Sequence, residues 1–289
     1  MKRVGFDGLE HSGRLGNQLW QIASTLGLAR IVGVDPIFPE SWSYREWFSL
    51  PDHWYGDPRE VARARNVARF VDLPPGQRTY MQQWDFIRRD MDEIRAVFAP
   101  SSDACEIVID HLRDTGQTYL LEMTDAVTLH VRRGDNTDPA SHPVGSWPLV
   151  TLDYYRAALE AFDSDLPVVV FSDDPLWVID HMSDLVGPRD GRCVHSGPLR
   201  SPDYEPAAYA ADPAMDWIDL QLMAMFSRHI IANSTYSLWG ALLGPGPTVY
   251  PNNWVGWRCR ASLPEESTMV PPEWVMVDNP VGPEHLNPC

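Results

Sequence analysis

Residues 126–135 read Ala-Val-Thr-Leu-His-Val-Arg-Arg-Gly-Asp. An apolar run over 127–131 stops abruptly at two arginines, a glycine and an aspartate. A short continuous apolar run bounded by polar residues is the pattern of a strand covered on both faces. Downstream the pattern recurs. Val168-Val169-Val170-Phe171 ends in Ser172-Asp173-Asp174, and His229-Ile230-Ile231-Ala232 ends in Asn233-Ser234-Thr235. Helical spacing is predicted over 152–162, over 176–182 behind Pro175, over 217–227 and over 236–243, with a last strand at 248–250 and an irregular tail beyond Pro251. Strands alternating with helices, each strand closing on a polar cluster, define an α/β doubly wound sheet with ligand groups at the carboxyl ends of its strands.

Upstream the signal is weaker but of the same kind. Residues 3–9 read as a strand, 10–18 as a glycine loop, and Leu19, Ile22, Ala23 and Leu26 as a helix. A second strand is expected at 37–39, helices at 59–70, 84–98 and from Ser101 or Ser102 to Gly116, and an irregular aromatic segment at 40–60. Pro74-Pro75-Gly76 reads as a turn and 186–211 as a Pro/Gly-rich connection. A break near 115–125 gives an N-terminal domain over 1–120, a second domain over 121–265 and a tail over 266–289.

Composition narrows the chemistry. The 289 residues carry 23 Lys+Arg against 40 Asp+Glu, a formal net charge of −17, and Lys2 is the sole lysine. That excludes a lysine phosphate loop, a Schiff base and a Ser-Lys dyad. It also disfavours nucleic acid and anionic membrane surfaces as partners. An anionic ligand must be held by arginine, backbone N–H groups or a helix start. No apolar stretch reaches 18 residues and no signal-peptide core is visible, so neither a membrane segment nor a leader is expected. The four cysteines are scattered without C-x-x-C, which points to reduced thiols, no structural zinc and a cytoplasmic chain. Trp42, Tyr44, Trp47, Phe48, Trp54 and Tyr55 crowd one segment; they serve either core packing or a sugar-binding surface.

At the strand ends, Arg132 and Arg133 suit phosphate oxygens, or brace their loop against Asp135. Gly13, Arg14, Gly16, Asn17 and Gln18 precede a helix, as in a loop that lets phosphate approach the backbone. Ser172, Asp173 and Asp174 suit ribose hydroxyls or cap the helix behind Pro175; one carboxylate pair does not make a metal site, and none is expected. Asn233, Ser234 and Thr235 are a helix cap or nucleotide contacts. His130 lies within an apolar strand, as a core residue or as a neighbour of the arginine pair.

Together these blocks resemble glycosyltransferase family 11, the α-1,2-fucosyltransferases. The resemblance is carried by residues 13–21, 129–135, 171–174, 219–223, 229–240, 249–254 and 271–274, in the family's order. Two positions depart from it: Leu238 stands where the family more often has Trp, and Trp20 where Phe is usual. The resemblance implies a GT-B fold, two Rossmann-like domains facing a cleft. It also implies GDP-β-L-fucose as donor, a galactose-terminated oligosaccharide as acceptor, inversion to a 2-linked α-fucoside, and no metal or other cofactor. Arg132 would neutralise the leaving diphosphate, Asp135 would hold it, and His130 would stand beside them. Gly13, Arg14, Gly16, Asn17, Gln18, Arg133, Ser172, Asp173, Asp174, Asn233, Ser234 and Thr235 would bind the donor. The general base stays open among His11, His130, Asp138 and His142. A doubly anionic donor entering an acidic chain implies a locally basic cleft. Transfer to another position or to a protein hydroxyl is the alternative within the class. A nucleotide-sugar or glycan-binding protein without turnover is the alternative outside it. A phosphoryl-transfer or dehydrogenase domain is disfavoured by the missing lysine loop and G-x-G-x-x-G.

Overall fold

Among the described residues, every pairing between strands is parallel, in two separate sheets. The computed structural model describes residues 3–6, 8–69, 71–73, 75–186, 192–194, 213–260 and 265–287. Most of the 186–211 connection and the first residue of the expected 74–76 turn therefore lie outside them. The chain forms two compact units, Met1–Glu106 with Ala261–Pro271, and Ile107–Arg260 with Pro272–Cys289. The division falls inside the Ser102–Asp114 helix, earlier than residue 120, and the residues of the expected tail are shared between the units.

The first unit holds β1 (Val4–Gly5), β2 (Pro36–Pro39), β3 (Tyr55–Gly56) and β4 (Arg65–Asn66), in the order β3-β2-β1-β4. The Leu15–Val32 helix follows β1 and stops at Gly33, whose φ of 69° gives the left-handed cap that glycine adopts without Cβ strain. β4 corrects the expectation of one helix over 59–70. Asp57 and Pro58 start that helix, but it ends at Arg63, because Arg65 and Asn66 pair with Val4 and Gly5. The 84–98 helix is likewise split, into Trp84–Ile87 and Met91–Phe98.

The second unit holds β5 (Val127–Val131), β6 (Val168–Ser172), β7 (Arg192–Val194), β8 (Arg228–Ile230), β9 (Thr248–Pro251) and β10 (Val275–Val277). Their order is β10-β9-β8-β5-β6-β7. From β5 the chain winds outward through β6 to β7, returns beside β5 as β8, and winds outward the other way. β10 corrects the expectation of an irregular tail: it pairs with β9 from Val275↔Val249 to Val277↔Pro251.

Side-chain alternation packs both faces. Val127, Leu129, Val131, Val168 and Val170 bury against Tyr154, Tyr155, Ala158, Val178 and Met182 from the Leu152–Leu159 and Pro175–Val186 helices. His130 meets Tyr236, and Phe171 meets Phe226, on the opposite face. Each fully buried Val or Leu contributes roughly 1.5–3 kcal/mol relative to exposure. Two buried phenols sharpen the geometry where the winding reverses. Tyr154 donates to Ile231 O at 2.7 Å, just past β8, and Tyr155 to His130 O at 3.1 Å, near the end of β5. Both carbonyls find partners inside the protein, and the two strand ends are tied to one helix.

Candidate active site

In a doubly wound sheet the ligand crevice opens beyond the carboxyl ends of the two strands where the winding reverses. Here those strands are β5 and β8. Beyond β5 come Arg132, Arg133 and Gly134; beyond β8 comes Asn233-Ser234-Thr235. The parallel register matches Val131 to Ser172, so the next residues along, Arg132 and Asp173, lie side by side.

Asp173 joins the two strand ends. Its Oδ2 accepts from Arg132 Nη1, and its Oδ1 accepts from the Arg133 backbone N–H at 2.8 Å. Asp135 accepts from Arg132 Nη2 on the other side. The Arg132 guanidinium, 18% exposed, is therefore oriented by two carboxylates from different loops. Arg133 donates from Nε to Asp174 Oδ2 at 3.0 Å and lies 4.0 Å over the Trp177 ring, a cation–π contact. Asp174 Oδ1 accepts from Trp177 N at 3.2 Å, and Ser172 Oγ accepts from Asp174 N at 2.9 Å. Asp174 thus caps the Pro175–Val186 helix, one of the two readings open in the sequence, and both acids anchor the arginines.

Two guanidinium groups face three carboxylates, so this cluster is not a basic pocket. Its cations are held in place rather than left in excess, which is electrostatic preorganisation rather than attraction at a distance.

Gly134 makes the arrangement sterically possible. Its φ is 25°, and a Cβ there would sit 2.5 Å from Asp173 Oδ2 and 2.8 Å from Arg132 Nη1. Gly134→Ala is expected to destabilise the chain by about 1–3 kcal/mol through backbone strain and separation of the Arg132–Asp173 pair. Urea unfolding checks this; an alanine variant as stable as the parent shows that the turn relaxes freely.

His130 is placed differently from the expectation of a group beside the arginines. Its side chain is buried, its ring packs on Tyr236 with centroids 5.8 Å apart, and Nδ1 has no hydrogen-bond partner. Burial, with a smaller contribution from the Arg132 charge, pushes its pKa down to about 3. It is a neutral core histidine, because alternation along β5 turns it to the face covered by the Thr235–Leu243 helix.

Asn233 is also buried. Its Nδ2 donates to Pro148 O at 2.8 Å and Trp254 O at 3.0 Å, joining the loop after β5 to the segment after β9. Ser234 caps the Thr235–Leu243 helix, its Oγ accepting from Tyr236 N at 3.3 Å. Thr235 is the first residue of that helix.

The glycine loop belongs to the first unit. Gly13 has φ 83° and Arg14 is the extended N-cap of the Leu15–Val32 helix, with Gly16 buried in its first turn. Gln18 Nε2 donates to Gly13 O at 3.2 Å, while its Oε1 accepts from Trp42 Nε1 at 2.8 Å. Asn17 Oδ1 accepts from Gln82 Nε2 at 2.9 Å. These amides brace the loop from the protein side. The aromatic segment nearby is core: Trp42, Tyr44, Phe48, Trp54 and Tyr55 are buried, and Trp42 stacks on Phe48 at 5.7 Å.

Trp177 and Tyr155 have no role assigned from the sequence. Trp177 left a trace there, an aromatic in the first turn after the acid pair. Among the described residues no group of three His, Cys, Asp or Glu is placed to hold a metal ion, and no helix is long and apolar enough to cross a membrane.

A parallel sheet with an oriented arginine at its switch point is suited to an anionic ligand, and the chain's relatives give its class: a glycosyltransferase. The sequence model of Glycosyl transferase family 11 matches residues 76–278, and the chain belongs to that family. It is 26% identical over 312 aligned positions to human galactoside alpha-(1,2)-fucosyltransferase 1, covering 94% of this chain and 75% of that protein. It is 27% identical over 200 positions to the O-antigen biosynthesis glycosyltransferase WbnK of Escherichia coli, covering 65% of this chain and 58% of that protein. The structure of NodZ alpha-1,6-fucosyltransferase co-crystallized with GDP aligns with a TM-score of 0.42 and 16% identity, over 84% of this chain and 93% of that one.

Proposed function

We propose that this family 11 chain transfers L-fucose from GDP-β-L-fucose, with inversion, to the 2-hydroxyl of a terminal β-galactoside. The observation that carries the reading is Arg132, held between Asp135 and Asp173 at the β5–β8 switch point. As the bond from fucose C1 to the diphosphate breaks, negative charge grows on the β-phosphate. A guanidinium already fixed in place meets that charge without reorganising. It takes the part a divalent cation plays elsewhere, so the reaction asks for no metal. In this reading Asp174, about a third exposed, takes a ribose hydroxyl. The start of the Thr235–Leu243 helix offers backbone N–H groups on the β8 side. The likeness to the human enzyme over most of the chain supports the donor and the linkage.

Thermal-shift titration tests the donor first. GDP and GDP-fucose are expected to stabilise the chain, by about 2.7 kcal/mol at a hundred times Kd, and UDP-sugars to leave it unmoved. Stabilisation by UDP-sugars alone sinks the donor assignment. Incubation with GDP-fucose and lactose should then yield a 2-linked fucoside by linkage analysis. Fucose at another position redirects the acceptor assignment, and binding without turnover leaves a glycan- or nucleotide-sugar-binding protein.

A further inference from the structure

We propose that His142 is the general base that takes the proton from the acceptor hydroxyl, oriented for that task by Asp135; this rests on the transfer reaction proposed above. His142 Nε2 lies 3.2 Å from Asp135 Oδ2. An ionised carboxylate only accepts hydrogen bonds, so Nε2 carries the ring hydrogen and Nδ1 keeps the basic lone pair. The carboxylate also stabilises the imidazolium that forms when Nδ1 takes a proton. Asp135 Oδ1 meanwhile faces Arg132. One carboxylate therefore orients both the cation that would meet the leaving group and the nitrogen that would meet the incoming hydroxyl.

Two other candidates of the same unit are worse placed. His130 is buried and neutral. Asp138 accepts from Ser141 Oγ at 2.6 Å and from Ala140 N at 2.9 Å, and the Ser141 hydroxyl, then these backbone bonds, hold its carboxyl below the usual range. A carboxylate so stabilised is a weak base. The His142 side chain is 24% exposed, enough for a sugar hydroxyl to reach it. Trp147, half-buried, meets the imidazole nearly edge-on, with centroids 6.2 Å apart and an interplanar angle of 77°. A flat indole beside the base suits the apolar face of a galactose ring.

The loop holding the ring is braced. His142 N donates to Asp138 O at 2.8 Å, Gly256 N to Ser146 O at 2.8 Å, and Arg258 N to Gly145 O at 2.9 Å. Among the described residues, the charged groups near His142 include Asp135 in contact, Asp138 through space, and Arg132 across Asp135. In the step itself the acceptor O–H bond breaks and its proton goes to Nδ1. The oxygen bonds to fucose C1, and the C1–O bond to the diphosphate breaks with its electron pair leaving on the phosphate. The imidazolium then releases the proton to water.

Two readouts test this. Ring nitrogen NMR of the substrate-free protein should show the Nε2–H tautomer at His142; the Nδ1–H tautomer overturns the proposal whatever the enzyme transfers. In kinetics, His142→Ala should lose about 10²–10⁴ in kcat while KM for GDP-fucose and the GDP thermal shift stay unchanged. Added imidazole should restore part of the lost rate. His142→Gln, which keeps a neutral donor for Asp135 but no base, should lose as much while folding normally. Full activity in His142→Gln, or a His142→Ala loss that imidazole does not rescue and that extends to GDP binding, overturns the role. A parent chain that turns over no GDP-fucose, yet shows the Nε2–H tautomer, fails the transfer reading and removes the base with it.

Discussion

Arg132→Ala is expected to lower fucose transfer by about 10²–10³-fold or more, the usual effect of removing one preorganised donor from a developing anion. The guanidinium is mostly buried and reaches Asp173 through Nη1 and Asp135 through Nη2. Alanine takes the cation away and leaves two carboxylates facing each other across the space it filled. Their repulsion adds to the loss, because either can turn towards the donor phosphates. Stability should fall by about 1–3 kcal/mol, less than for a fully buried pair because Asp135 is about a third exposed. Arg132→Lys should recover little. An ammonium is a point charge and cannot span Asp135 and Asp173 while also meeting phosphate. Steady-state kinetics with circular dichroism and urea unfolding separate chemistry from folding. Turnover within threefold of the parent, in a folded alanine variant, removes Arg132 from the reaction.

Acidification from pH 7.5 to pH 5 is expected to cost several kcal/mol of stability, through two buried histidines. Burial is the leading cause at both: it pushes His130 down to about 3 and His229 to about 4. Hydrogen bonds to the Pro245 and Phe226 backbone partly offset it at His229. In the unfolded chain each titrates near pH 6.5. Their contribution is therefore complete above pH 6.5. Below it the unfolded state binds protons that the native state refuses, and stability declines as pH falls towards the native values. By pH 5 that amounts to up to about 2 kcal/mol for each. Most carboxylates titrate lower, so this window belongs mainly to histidine. Urea midpoints at both pH values measure it. The slope of stability against pH should flatten in His130→Gln and His229→Gln even where the absolute stability drops. Equal stability of the parent chain at the two pH values, or variants with the parent's full slope, contradicts neutral burial.

Legibility in the sequence tracked how local each cause is. β5 and β6 were readable because strands covered on both faces need uninterrupted apolar runs. β4 and β10 were not. Arg65-Asn66 has no strand character of its own and pairs only because β1 lies alongside. In Val275-Met276-Val277 the first two residues are about half exposed, and β9 supplies what composition does not. The crowd of aromatics over 40–60 was ambiguous for a related reason. Residue type alone does not separate a buried ring from a sugar platform; the packing of Trp42 on Phe48 does.

The site divides along the same line. Sequence alone established that arginine must do the anion chemistry, since Lys2 is the sole lysine, and that Arg132 and Arg133 stand at a strand end. It also placed Asp173 and Asp174 at the end of the next strand. Only the tertiary structure decided which carboxylate meets which arginine. That choice depends on the register Val131↔Ser172, a pairing across 41 residues that no local pattern encodes. It likewise turned His130 into the core and His142 towards Asp135. Alternation along a strand and the path of a pinned loop decide where a histidine points; its identity does not.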